Sequence, residues 1–402
     1  MLFSYTAKNK EGVMQSGTMD VADRFALAKA LRSQNLIPIT SKDISKKSFN
    51  FKFSFLEKVS LREKILFTKN MSGMLKAGLS LVRSLEVLQK QTKNELFLKV
   101  LTSIQSDIVA GSTLSTAMKK FPKVFSELFV AMVSAGEESG DMSGALEQVG
   151  ISIEKSYALN ARIKSAMMYP SIILSAIVLI GILMFIFVVP TITKTFKDLG
   201  VALPTSTKLV IWFSDVLSAH PILVFLILII LFIGGFFAIK NPKIKPYVDM
   251  VSLKLPVISG IIRESNTART TRTISSLLGS GVDIIHTLTI THEVLQNHYY
   301  KEVLNEAIEA VQKGGQLSVV FRKYPNLYPV MMSEMIAVGE ETGKLGQMLN
   351  DVAIFYENEV DTKTKDLSTI IEPVLMVFIG AAVGFFAISM LSPMYSLMDT
   401  VK

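Results

Sequence analysis

The chain has 402 residues, half of them apolar and 19% charged, with a net charge of +8 and no cysteine. Disulfides, thiolate catalysis and cysteine–zinc sites are therefore excluded, and four histidines are too few for a rich metal centre. This balance fits water-facing domains joined to a few membrane spans, and the basic excess reads first as cytoplasmic flanks of those spans and only second as a nucleic-acid surface.

Residues 1–40 read as a small hairpin–helix module. Phe3, Tyr5 and Ala7 alternate with polar residues, a turn follows at Asn9–Gly12, and a second strand runs from Val13 to Val21. Phe25, Leu27, Ala28 and Leu31 then recur at helical spacing, and Leu36–Thr40 suits an edge strand because Pro38 cannot donate to a ladder. The start of the chain lacks the pattern of a cleaved signal and is expected to stay in the cytoplasm. Residues 41–60 form a basic linker in which Phe49, Phe51, Phe53 and Phe55 alternate, either as a tether or as a strip resting on the membrane.

Residues 61–168 carry helical periodicity broken at Gly78, Gly111 and Phe121-Pro122, which predicts a bundle of about six short helices. An uncharged run then predicts a first membrane helix over 169–190, closed by Pro190. Residues 191–220 read as an external loop, 221–240 as a second span, 241–370 as a second helical domain, 371–392 as a third span and 393–402 as a short external tail. Lysines and arginines flanking the spans (Lys155, Arg162, Lys164, Lys240 and Lys243 among them) outnumber those on the other side, which places both helical domains in the cytoplasm.

The second helical domain repeats the first at a constant offset of 203 residues. Gly339-Glu340-Glu341-Thr342-Gly343 falls on Gly136-Glu137-Glu138-Ser139-Gly140, Gly281 on Gly78, Leu317 on Leu114, Pro373 on Pro170 and Pro393 on Pro190. So long a period marks a domain duplication, not a solenoid. The predicted architecture is mostly α: an integral membrane protein with two homologous cytoplasmic six-helix bundles, three transmembrane helices and a small N-terminal α+β module.

The motifs offer little chemistry. Gly339–Lys344 is one residue short of a phosphate loop, and Leu345 replaces the hydroxyl that would hold magnesium. The acids Glu137, Glu138, Glu340 and Glu341 sit at a helix junction, either as part of a cap or as a docking point for a basic partner. Glu137 and Asp141, four apart, could share a hard cation such as Ca²⁺, whereas the second copy puts Lys344 at the matching place. In the third span Glu372 stands beside Pro373, and Gly380 and Gly384 form a G-x-x-x-G suited to close helix packing. A lone acid at a membrane edge makes a poor ion pathway, but a small transporter or permease with cytoplasmic regulatory domains is the alternative reading.

Taken together, the duplicated domain, its Gly-Glu-x-Ser/Thr-Gly signature, Tyr169-Pro170, Glu372-Pro373, and the Phe3-x-Tyr5 and Leu31-Arg32-x-x-x-Leu36 segments resemble the bacterial type II secretion inner-membrane protein F and type IV pilus PilC family. The resemblance implies a non-enzymatic, multi-pass inner-membrane platform with a cytoplasmic N-terminus and an external C-terminus. Its implied partners are a hexameric cytoplasmic assembly ATPase, inner-membrane assembly proteins and pilin or pseudopilin subunits. It also implies a homo-oligomer, with a dimer favoured, and in some members a divalent cation in the first domain.

Overall fold

A computed structural model describes residues 2–8, 14–21, 23–33, 36–43, 58–198, 204–219, 226–227, 230, 233–235, 237, 241–256 and 258–400. It divides into two units, residues 1–58 and 59–402.

In the first unit, β1 (Leu2–Lys8) lies between β2 (Met14–Asp20) and β3 (Ile37–Asp43), all antiparallel. Pro38 does sit on an edge strand, and the β1–β3 register slips beside it: Thr6 faces Thr40 but Ala7 faces Pro38. Helix α1 (Arg24–Ser33) buries Leu27 and Leu31 with Ala7 and Leu36. Phe25, expected on the apolar face, is instead 87% exposed. A face set by Leu27 and Leu31, four apart, turns Phe25 away. The alternating phenylalanines at 49, 51, 53 and 55 lie outside the described residues.

The second unit starts with α2 (Leu61–Lys76), α3 (Leu81–Gln91), α4 (Glu95–Val109), α5 (Leu114–Lys119), α6 (Glu127–Ser139) and α7 (Met142–Ala166). Helix starts are marked by short polar caps. Ser60 and Glu63 form a reciprocal capping box, and Ser80, Asn94, Thr113, Ser126 and Asp141 each accept from a first-turn N–H. The core joins Phe67, Phe97, Phe125 and Phe129 to Leu85, Leu101 and Ile104.

After α11 (Lys245–Lys254), the pattern returns: α12 (Ile258–Gly279), α13 (Ile284–Val294), α14 (His298–Gln312), α15 (Leu317–Arg322), α16 (Val330–Thr342) and α17 (Leu345–Thr400). Helices α13 to α16 begin and end 203 residues after α3 to α6. The positive-φ glycines repeat too, at 78, 111 and 140 and at 281, 314 and 343. The two copies pack on each other: Leu277, Val282 and Ile290 join the first core, and Leu159 joins the second.

Two helical stretches are long and apolar enough to cross a membrane, Met142–Phe196 and Leu345–Leu391. Their most apolar windows are almost wholly unburied, unlike a soluble core helix. The span expected at 221–240 lies outside the described residues, apart from isolated helical positions.

The helix ends differ from expectation. Pro170 marks a one-residue break at Met167 between α7 and α8 (Met168–Leu183). Pro190 does not close the helix: a π-turn, Met184–Val188, leads into α9 (Val189–Asp198). Residues 205–219, expected to lie in a loop, form α10 (Thr205–Ala219). In the same way α17 runs through Pro393 to Thr400, where a tail was expected.

Helix α10 supplies the reason. In the π-turn the Val189 N–H bonds the Met184 carbonyl, so the next donor would be Pro190, which has no N–H for Phe185. Ser214 Oγ donates to the Phe185 oxygen instead, at 2.6 Å. In α17 the carbonyl of Ser389 would pair with the N–H that Pro393 lacks, and Thr207 Oγ1 donates to it at 2.5 Å. One helix thus satisfies the carbonyls freed by two repeat-equivalent prolines, as apolar surroundings require. Thr207→Val should therefore lower the stability of the detergent-solubilised chain by about 1 kcal/mol, read as a drop in thermal midpoint.

Candidate functional site

The repeated Gly-Glu-Glu-Ser/Thr-Gly segment is the corner where α5, α6 and α7 meet. Gly140 takes φ +78° and Gly343 φ +69°, a left-handed conformation that closes α6 and α16. Gly136 and Gly339 allow the helices to turn back closely. A Cβ built at Gly136 would stand 2.3 Å from the Ala145 Cβ, and one at Gly339 would stand 2.7 Å from the Leu345 Cα. Gly339→Ala, which meets backbone, should cost about 2 kcal/mol through forced separation of α16 and α17. Thermal unfolding of the purified chain would check this.

Glu137 reaches from α6 to the start of α5. Its Oε1 accepts the Leu114 N–H at 2.5 Å, and its Oε2 accepts the Ser115 N–H at 3.1 Å and the Ser115 hydroxyl. Glu340 does the same to Leu317 (2.5 Å) and Ser318 (N–H 3.2 Å, Oγ 2.6 Å) at the start of α15. Both glutamates are half-buried, whereas Glu138 and Glu341 are exposed. A carboxylate that accepts first-turn N–H groups satisfies donors the helix itself leaves unpaired and complements its positive end. Sequence reading found the corner but missed this long-range cap. Its signal is the Leu-Ser pair that recurs, at the same offset, 22–23 residues before each glutamate.

Asp141 Oδ1 caps α7 by accepting the Gly144 N–H at 2.9 Å, and also the Ser143 hydroxyl at 3.2 Å. Both carboxylates of the suggested cation pair are thus committed to helix starts. Among the described residues no group of three or more His, Asp or Glu is placed to hold a metal. Glu137 and Asp141 by themselves supply only part of the six to eight oxygens that Ca²⁺ takes.

In α17, Glu372 and Pro373 are exposed, and Lys365 pairs with Asp361 at 2.9 Å. Gly380 and Gly384 have nothing within 4 Å of an added Cβ. At the copy-two corner Tyr324-Pro325, Glu306 accepts from Lys323 and the Tyr324 hydroxyl, both at 2.5 Å. The Lys323 bond, above all, holds its carboxyl below the usual carboxylate range.

An ion pair that sequence reading did not single out is also duplicated. Lys69 on α2 meets Glu154 on α7 at 2.8 Å, and their counterparts Arg272 and Glu357 meet at 2.7 Å. The first pair is about half exposed, at 51% and 50%; the second is buried, at 10% and 11%. Arg272 makes a two-pronged contact with Glu357 and a third bond to Asn350 Oδ1 at 2.6 Å. The first copy covers it: Leu128, Ser152 and Leu159 line a small cavity together with Arg272 and Glu357. Burial in this contact also lowers the pKa of Arg269, which donates to Asn160 at 2.8 Å.

Residues 67–190 and 270–393 each match the family profile described as type II secretion system (T2SS), protein F, and residues 1–42 match its N-terminal domain. The chain belongs to the type II secretion system protein F family. A type IV pilus assembly protein PilC of Thermus thermophilus is 33% identical over 100% of this chain and 99% of its own length. The PilC of Myxococcus xanthus is 32% identical over 100% and 96%. A type II secretion system protein F of Aeromonas hydrophila is 32% identical over 92% and 96%. The family's two profile matches begin 203 residues apart, the offset that relates the helices.

Proposed function

We propose that this chain is the inner-membrane platform of a type IV pilus or type II secretion machine. The observation that carries the reading is the full-length match to both branches of the family, together with two repeated helical domains that each lead into a candidate span. In this role the platform couples a cytoplasmic hexameric ATPase to the insertion of pilin or pseudopilin subunits, and works beside small inner-membrane assembly proteins as a homo-oligomer, with a dimer favoured. Its part is structural, not catalytic. The segment at 221–240 is the second of three spans, both helical domains lie in the cytoplasm and the C-terminus lies outside. Gly380 and Gly384 offer a surface that an incoming apolar helix could approach closely. The exposed Glu138 and Glu341 remain docking points for a basic partner.

Deleting the gene and imaging the cells, with exoproteins collected in parallel, tests the role. Loss of surface filaments or of secretion supports it and names the branch; preservation of both removes it. The topology has its own check. In an otherwise cysteine-free chain, a cysteine replacing the exposed Thr205 should react with an impermeant maleimide in intact cells, and one replacing the exposed Val109 only after lysis. Reversed labelling would invert the topology.

A further inference from the structure

The two copies meet through different faces. The first contributes α6 and α7, with Leu128, Ser152 and Leu159; the second contributes α12, with Ala268, Arg272 and Thr273. Arg162 on α7 also pairs with Asp361 on α17, at 3.2 Å. A contact of this head-to-tail kind between two like units leaves one face of each sort over. The 203-residue offset says where they are: the projecting face of the second copy, on α16 and the start of α17, and the receiving face of the first, on α2 and α3.

The leftover projecting face is apolar where the occupied one makes contact. Between residues 258 and 366 seven large apolar side chains are exposed, and five of them are Val330, Met331, Val338, Ile354 and Phe355. These are the counterparts of Glu127, Leu128, Ala135, Ile151 and Ser152 on α6 and α7. Leu128 and Ala135 pack into the core shared with the second copy, and Ser152 lines the cavity between copies. On the leftover receiving face, Leu66 and Leu79 are exposed at the places where Arg269 and Val282 meet the first copy. So concentrated an apolar patch marks an interaction surface.

Charge disfavours two projecting faces set back to back. The projecting face of the second copy carries Asp351 and Glu359 where the first has Gln148 and Ser156, so that arrangement would oppose acid to acid. On the leftover receiving face Lys69 and Arg83 are each balanced by an acid of their own copy, Glu154 at 2.8 Å and Glu86 at 2.6 Å, so projecting on receiving avoids that clash. Each copy also runs its last helix into a candidate span. Both spans must enter one bilayer from the same side, so the rotation that relates the copies lies near the bilayer normal. Repeating it between chains keeps every span in the same bilayer.

We propose that a second copy of this chain occupies the α16–α17 face, seating its α2–α3 surface there as α12–α13 is seated against α6–α7 within one chain. The pairing rests on the internal repeat and not on the platform role, so its test reads contact in the membrane, independent of filaments or secretion.

Two differently tagged full-length chains would be co-expressed, one carrying Asn70→Cys and the other Phe355→Cys. These are the counterparts of Thr273 and Ser152, which line one cavity within the chain. A short bis-maleimide applied to membranes should give a two-chain product bearing both tags. Asn70→Cys paired with Glu309→Cys, exposed on α14 and off this face, should give none. Phe355→Glu should convert the detergent-solubilised oligomer to monomer with its helical circular dichroism unchanged. The proposal is overturned if membrane-inserted chains give no mixed product, if Phe355→Cys links only to itself or to another protein, if Asn70→Cys is captured by residues 1–58 of its own chain, or if Phe355→Glu leaves the oligomer intact.

Discussion

Glu340→Ala should destabilise the full-length chain by about 3 kcal/mol, because it removes three hydrogen bonds to a charged acceptor and leaves two half-buried N–H groups at the start of α15 unpaired. Glu137→Ala should cost about as much through the matching bonds to Leu114 and Ser115. Glutamine at either position should recover only part of the loss, since one of its two terminal atoms is a donor facing donors. Glu138→Ala and Glu341→Ala, on exposed neighbours, should stay within about 0.5 kcal/mol. Chemical unfolding of the solubilised chain, followed by circular dichroism, separates the two roles the sequence allowed for these acids. If Glu340 were a docking residue, Glu340→Ala would leave unfolding unchanged and reduce only filament or secretion output.

The repeat and its helix boundaries were legible because the signals that set them are local. A short polar cap and a positive-φ glycine each act within a turn or two, so copying the sequence at one offset copies the boundaries. Glu137 and Glu340 were half legible. Their place at a helix junction is local, but the N–H groups they cap lie 22–23 residues earlier and become neighbours only when α5 packs on α6. The prolines misled for a related reason. Pro190 and Pro393 are helix breakers by themselves, and the helices pass through them only because Ser214 and Thr207 arrive from α10. No pattern near either proline announces that help. The suggested cation pair was half legible too: spacing brings Glu137 and Asp141 to one corner but does not say that both accept N–H groups at helix starts.

The duplicated ion pair turns that dependence on context into a measurement. Glu154→Ala and Glu357→Ala delete the same side chain at the same place in the repeat. In the first copy the pair with Lys69 is about half exposed, so the loss should be about 0.5 kcal/mol and should shrink further as salt is added. In the second copy the change strands Arg272 under the first copy with only Asn350 as a partner, and should cost about 3–5 kcal/mol. A swap sharpens the comparison. Arg272→Lys puts the first copy's residue type into the buried site, but a single ammonium cannot reproduce the two-pronged contact with Glu357, so it should still lose stability. Lys69→Arg, in the exposed site, should change little. Equal losses for Glu154→Ala and Glu357→Ala would mean that packing between the copies does not seal the second pair from water. A large loss confined to Glu357→Ala would locate the energetic asymmetry of the duplication in the contact between copies, since the residues that form the pair occupy the same places in each.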